Sequence, residues 1–208
     1  HIATIYFNGK ELFQHRCGYT SFRVEITEYA KVGENEILVK LDSRENSSIP
    51  PFGFVIDYLT YGGLYRDVFL DRRSSTYISD LFIKTPTLTS LQVDYTLDGK
   101  ESGTILSEIL DSKGNVLFSS SSDSLTFKKD GLKVSPWSPS SPTLYTLRST
   151  LIIDGKAVDQ REDTFGFRTV SFKGKDFILN GEKFFFYGLN RHQSWPYIGY
   201  AAPERMQR

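Results

Sequence analysis

Asp57 heads the stretch Asp57-Tyr58-Leu59-Thr60-Tyr61-Gly62-Gly63-Leu64-Tyr65, a carboxylate followed by three tyrosines around a Gly-Gly turn. An ionised carboxylate takes hydroxyl hydrogens in charge-assisted bonds, and tyrosine rings cover the apolar C–H patches of a sugar. The combination suits a carbohydrate. The same residues also suit a hairpin lip whose tyrosines are core or rim, and composition alone leaves both readings open. A second place with chemical potential is Asn190-Arg191-His192, at the end of the apolar run Phe184-Phe185-Phe186-Tyr187-Gly188-Leu189. Counting by two puts Phe186, Gly188, Asn190 and His192 on one face of a strand, with Tyr187, Leu189 and Arg191 on the other.

The elements that must position these residues read as strands almost throughout. Residues 1–7 form a strand that runs into Asn8-Gly9, the strongest short hairpin signal a sequence offers. A chain that opens in mid-sheet implies earlier strands of the same sandwich elsewhere. Residues 21–27 alternate strictly, 36–41 repeat the pattern, and 43–51 is a loop by composition. The Gly62-Gly63 turn feeds a strand with Leu64, Arg66 and Val68 on one face. From residue 74, strands recur at hairpin spacing: 77–83, 90–96, 103–111, 116–118, 144–153 and 161–170, with turns at Asp98-Gly99, 113–115 and Asp154-Gly155. Ser119-Ser120-Ser121-Ser122 reads as a strand end or wide loop. Residues 176–179 turn at Asn180-Gly181 into the run 184–189, whose near-continuous apolarity predicts a strand buried on both faces. Pro203-Glu204 predicts a helix start.

Bulk properties narrow the function classes. The chain has 208 residues, with Lys plus Arg numbering 25 and Asp plus Glu 25. No net charge drives binding to nucleic acid or an anionic membrane, so neutral partners are expected. No apolar run approaches the roughly 20 residues that span a bilayer. Cys17 is the only cysteine, which excludes an internal disulfide and reads as a small buried hydrophobe. Aromatic residues are 14% of the chain, with 12 Tyr and 16 Phe, which favours strands over helices.

Several motifs in order carry a family resemblance: Tyr6-Phe7-Asn8-Gly9-Lys10, Gly18-Tyr19-Thr20-Ser21-Phe22, Gly33-Glu34-Asn35-Glu36-Ile37, and Asp57 with Tyr61 to Val68. Together they resemble the sugar-binding domain of family 2 glycoside hydrolases. Pro136-Trp137-Ser138-Pro139, Leu144-Tyr145 and Gly166-Phe167-Arg168 are similar to landmarks of the immunoglobulin-like sandwich that follows it in that family. Arg191 to Ala201 looks more like a β-galactosidase than a β-glucuronidase or β-mannosidase. The resemblance implies an all-β chain in three parts: a partial jelly-roll over 1–73, an immunoglobulin-like β-sandwich over 74–171, and over 172–208 the entry hairpin of a truncated (β/α)8 barrel. It implies a non-catalytic portion of a retaining β-galactosidase acting on β-galactoside sugars, with no nucleic-acid or membrane partner and homo-oligomerisation left open. Localisation is unassigned, the cytoplasm being favoured over a secreted or periplasmic place.

By the same resemblance, Asp57 contacts a substrate hydroxyl and a monovalent cation, while His192 bonds galactose hydroxyls at the barrel mouth. Asn190 is a weaker substrate contact on the inward face. No cofactor belongs to the 208 residues, and a monovalent cation and Mg are left open for the full-length protein. Retaining hydrolysis takes two carboxyl groups roughly 5 Å apart, and the resemblance puts both glutamates in later barrel strands. Asn35-Glu36 mimics an acid/base motif but lies in an alternating strand, so it reads as structural. Asp67, ten residues beyond Asp57 and beside Arg66, reads as structural too. A stand-alone carbohydrate-recognition module and a purely structural tandem of sandwiches are the alternatives.

Overall fold

The computed structural model describes residues 1–44, 46–49, 62–191, 195–199 and 201–206. Thirteen strands and two single-turn 3-10 helices are described, in four antiparallel sheets. Contacts group the chain into two compact units, one of residues 1–69 with 189–208 and one of residues 70–188.

In the first unit, β1 (Ile2–Phe7) lies between β2 (Lys10–His15) and β3 (Ile37–Asp42). Asn8 and Gly9 close the β1–β2 hairpin at φ 50° and 80°, the left-handed pair that a two-residue turn between right-twisted strands requires. Ala3, Ile5 and Phe7 are buried, and their cross-strand partners Phe13, His15, Ile37, Val39 and Leu41 extend one apolar face. Phe22 lies over this face, its ring 4.5 Å from that of His15.

The second unit is a two-layer sandwich. One sheet has the order β4 (Tyr77–Lys84), β5 (Leu91–Asp98), β8 (Thr126–Lys129). The other runs β10 (Lys156–Phe165), β9 (Tyr145–Ile153), β6 (Thr104–Leu110), β7 (Val116–Ser122). Inward positions alternate along each strand, so Ile78, Leu91, Val93 and Phe127 meet Ile105, Ile109, Leu147 and Leu151 in one core. Tyr145, at the start of β9, accepts the Ser135 backbone N–H on its hydroxyl at 2.8 Å, a tyrosine-corner arrangement of immunoglobulin-like folds. A polar bolt crosses the apolar interior. The Tyr95 hydroxyl of one layer lies 2.8 Å from Ser107 Oγ and 2.9 Å from Ser149 Oγ of the other, and those two serines are cross-strand partners. The protonated phenol donates to one serine and accepts from the other, and burial raises its pKa.

A third small sheet in this unit, β11 (Val170–Lys173), β12 (Asp176–Leu179) and β13 (Glu182–Lys183), follows the sandwich. The expected doubly buried strand over 184–189 is corrected here. Strand pairing ends at Lys183, and Phe185, Phe186, Tyr187 and Leu189 are 67%, 64%, 92% and 98% exposed. The alternation survives without the ladder. Phe184 and Phe186 pack on Phe177, with centroids 6.4 and 4.7 Å away, while Phe185 pairs with Tyr187. No described strand lies beside this run to supply the hydrogen bonds that doubly buried pairing needs.

Two further expected strands are not strands. Residues 21–26 pair with no strand and lead into the 3-10 turn Thr27–Tyr29, although Val24 and Ile26 are half-buried and their neighbours exposed. After Gly63, which has φ 107°, residues 64–69 form no strand, and Leu64, Val68 and Phe69 are exposed. Elements that differ from expectation include β8 and β11, which were not expected, β10, which ends at Phe165 rather than continuing to Val170, and β7, which reaches Ser122 so that all four serines are paired. The helix start at Pro203 amounts to one 3-10 turn, Glu204–Met206.

Removing the bolt asymmetrically leaves buried hydroxyls without partners. Tyr95→Phe is expected to destabilise the chain by about 1–3 kcal/mol, and adding Ser107→Ala and Ser149→Ala to recover part of that loss. Equilibrium urea unfolding of the two variants checks this, and a triple variant less stable than Tyr95→Phe by a further similar amount contradicts it.

Candidate functional site

Asp57 and His192, the two principal candidates, lie outside the described residues, as do Tyr58 and Tyr61. The structure does define what holds the chain on either side of them. Before Asp57, Asn46 forms an Asx turn in which its Oδ1 accepts the Ser48 N–H at 2.9 Å, and Ile49 is buried to 2% exposure. After it, Gly62 sits so close to Ser43 that a Cβ there would lie 3.2 Å from the serine Oγ. Tyr65 then donates its hydroxyl to the Gly18 carbonyl at 3.1 Å, with the Arg66 guanidinium 5.1 Å from its ring. Both flanks are thus fixed in the first unit, one by an apolar anchor and one by close backbone approach.

The residues that follow His192 close a small loop. Trp195 and Gly199 exchange backbone hydrogen bonds of 3.0 and 2.9 Å, and Tyr197 at the tip has φ 70° and a fully exposed side chain. The Trp195 indole Nε1 is buried without a hydrogen-bond partner. Asn190, on the near side of His192, is exposed and outside any strand. Residues 189–208 group with residues 1–69, so the flanks of Asp57 and those of His192 belong to one compact unit.

Asn35-Glu36 is tied up in the fold. The Asn35 Oδ1 accepts the Lys31 N–H at 3.0 Å and Asn8 Nδ2 at 2.9 Å, while its Nδ2 donates to the Lys31 and Gly33 carbonyls. Asn8 completes the clasp by accepting the Glu36 N–H at 3.0 Å and donating to the Tyr29 carbonyl at 3.0 Å. These asparagines join the first hairpin to the turn before β3, and Glu36 points to solvent. Asp67 is exposed.

Displaced carboxylates among the described residues all move one way. Hydrogen bonds from Arg44 hold Asp42 well below the usual carboxylate range. Lys84 lowers Asp94, Asn115 lowers Asp111, and Thr27 lowers Glu25. A general acid at neutral pH needs the opposite displacement, by burial or a like charge. No group of three or more His, Cys, Asp or Glu residues is placed to hold a metal ion among the described residues. No helix there is long and apolar enough to cross a membrane. A cleft of about 270 Å³ opens on the sandwich, lined by Ile83, Thr85, Trp137, Leu144, Phe165 and Arg168 among others, and it contains no carboxylate.

One polar environment went unread in the sequence. Cys17, taken as a buried hydrophobe, is half-buried, and a hydrogen bond from the Thr20 side chain, with others from the Tyr19 and Thr20 backbone, lowers its pKa. Thr20 Oγ1 also lies 2.9 Å from His15 Nε2. A hydroxyl has one proton, so when Thr20 donates to sulfur, His15 Nε2 carries the N–H. The short Cys17-Gly18-Tyr19-Thr20 turn was the signal. Alkylation of Cys17 by iodoacetamide should show a pH profile that inflects below that of free cysteine, and Thr20→Val should move it up. An inflection at the free-cysteine position, unmoved by Thr20→Val, contradicts this environment.

The model for glycosyl hydrolases family 2 matches residues 76–168, which run from the residue before β4 to beyond β10. A β-galactosidase of Thermoanaerobacter pseudethanolicus is 39% identical over 223 aligned residues that take in 100% of this chain. One from Thermoanaerobacterium thermosulfurigenes is 35% identical over 99% of the chain. The chain spans 30% and 31% of the length of these two curated relatives. The solved β-glucuronidase of Bifidobacterium dentium, complexed with coumarin-3-O-glucuronide, superposes over 99% of this chain and 41% of its own with a TM-score of 0.81, at 24% identity, which bears on the fold. With its sandwich matched by the family model and its whole length matched by these relatives, the chain belongs to the glycosyl hydrolases of family 2.

Proposed function

We propose that this chain is the non-catalytic N-terminal portion of a retaining β-galactosidase, holding the barrel and lending it ligand contacts. The observation that carries the reading is the extent of the likeness. Relatives named β-galactosidase match the chain from end to end, including the segments with Asp57 and His192, yet the chain spans under a third of their length. In this reading residues 1–73 are part of a sugar-binding jelly-roll, 74–171 an immunoglobulin-like spacer, and 172–208 the entry to a (β/α)8 barrel. A barrel of roughly 250 residues supplies both glutamates from its later strands.

The residues assigned to substrate are then contacts rather than acids or nucleophiles. Asp57 accepts a hydrogen from a sugar hydroxyl, and His192 bonds a galactose hydroxyl more strongly in the transition state than in the ground state. Asn190 is a secondary contact. Asp57 also supplies a hard oxygen donor for a monovalent cation, which would neutralise part of its charge beside the sugar. In this reading the run 184–189, unpaired in this chain, gains its strand partners only from the barrel of the full-length protein, which would cover the exposed Phe185, Tyr187 and Leu189.

Hydrolysis of a chromogenic β-galactoside tests this. The 208-residue chain is expected to be inactive and a protein extended through the barrel active. In the extended protein His192→Ala should lower kcat/KM by roughly 100-fold. Turnover by the 208-residue chain itself contradicts the proposal and makes Asp57, Asp67 and Glu36 the first residues to replace.

A further inference from the structure

Two asparagines of the chain, Asn8 and Asn180, precede glycine, whereas the others precede Glu36, Ser47, Val116 and Arg191. Glycine has no Cβ to shield its backbone nitrogen, so that nitrogen can reach the amide carbon of the preceding side chain. Attack forms a nitrogen–carbon bond and a five-membered succinimide, and the amide nitrogen leaves as ammonia with the proton taken from the glycine N–H. Water then opens the ring to aspartate or isoaspartate, so water is the one co-reactant. Both asparagines stand in two-residue hairpin turns, at φ 50° and 53°, and a Cβ placed on either following glycine would meet nothing within 4 Å. The two pairs share sequence and turn geometry. They differ in what holds the amide.

We propose that Asn180 is a site of spontaneous deamidation in the folded chain, and that Asn8, of the same Asn-Gly sequence, is shielded from it. The amide must turn toward the glycine nitrogen and its own nitrogen must pyramidalise, so each hydrogen bond on the amide opposes the reaction. The Asn8 Nδ2 donates both hydrogens, to the Tyr29 carbonyl at 3.0 Å and Asn35 Oδ1 at 2.9 Å, while its Oδ1 accepts the Glu36 N–H at 3.0 Å. Its hairpin pairs β1 with β2 at five positions, and β3 flanks β1 on the other side. The Asn180 Nδ2 donates to the Trp137 carbonyl at 2.9 Å and has no second acceptor among the described residues, its Oδ1 accepting the Thr169 N–H at 3.0 Å. Its hairpin pairs β12 with β13 at two positions, Ile178 with Lys183 and Leu179 with Glu182. A ladder that short opens more readily than the first hairpin. Conversion at Asn180 removes the donor to the Trp137 carbonyl and sets a carboxylate oxygen against it, so the sandwich loses that tie to the hairpin for good. The inference does not rest on the enzymatic reading.

Peptide mapping by mass spectrometry of the chain, aged in mildly alkaline buffer with and without urea, tests it. In the folded chain, aspartate and isoaspartate are expected to accumulate at Asn180 at least about fivefold faster than at Asn8, the factor one further hydrogen bond supplies. In urea the two sites should convert at matching rates. Asn35→Ala removes one acceptor of the Asn8 amide, and should speed conversion at Asn8 while leaving Asn180 unchanged. Conversion at Asn8 that equals or exceeds that at Asn180 in the folded chain overturns the proposal. So does a folded chain that keeps Asn180 intact while urea converts it, or a preference for Asn180 that persists in urea, which would assign the difference to flanking sequence.

Discussion

The close contact of Gly166 with Trp137 is the constraint on which the second unit depends. A Cβ at Gly166 would lie 2.7 Å from the Trp137 Cβ, so only glycine lets the end of β10 pass the indole. Around that approach the backbone is tied twice. Trp137 donates its N–H to the Phe167 carbonyl at 2.8 Å, and the Trp137 carbonyl accepts Asn180 Nδ2 at 2.9 Å. Asn180 in turn exchanges hydrogen bonds with Thr169, using its side-chain oxygen and its backbone N–H. The Arg168 guanidinium lies 5.1 Å from the Trp137 ring, and Thr85 donates to the Arg168 carbonyl. One tryptophan thereby joins the sandwich to the hairpin at Asn180-Gly181, which precedes the exposed aromatic run.

This node gives the sandwich a mechanical meaning. Its core is closed by aliphatic packing and crossed by the Tyr95 bolt, and the Tyr145 and Phe165 rings pack on Phe167, the residue next to Gly166. Phe167 is fully buried while Arg168 is exposed, so the strand leaves the core in a single step. The 170–183 sheet is thereby tied to the sandwich through hydrogen bonds of defined geometry.

Much of the architecture was legible because its signals are local. Asn8-Gly9, Asp154-Gly155 and Asn180-Gly181 each appear as hairpin turns with two positive φ angles, and the alternation along 91–98 and 145–153 marks the buried face correctly. Segments 21–27 and 64–69 were misread because alternation reports burial, whereas a strand also needs a neighbour, and no neighbour can be read from a local pattern. The 184–189 run fails for the same reason: its composition describes an environment made by residues far away in sequence. The site was less legible than the fold. Asn35-Glu36, expected within a strand, lies in the turn just before β3, where the amide clasp with Asn8 holds it. The polarity around Cys17 arises from a turn that brings Thr20 back to sulfur, which composition does not encode. Asp57 and His192 draw their assignment from motif resemblance, and what the fold adds is the anchoring of their flanks.

The coupling of the sandwich to the sheet that follows runs through Gly166 and Trp137. Native-state hydrogen exchange on Gly166→Ala, compared with the unaltered chain, addresses it directly. Amides across 170–183 should lose protection together with the Trp137 amide, while those of β5, β6 and β9 keep theirs. Unchanged protection across 170–183, with any loss confined to residues beside 166, would contradict it.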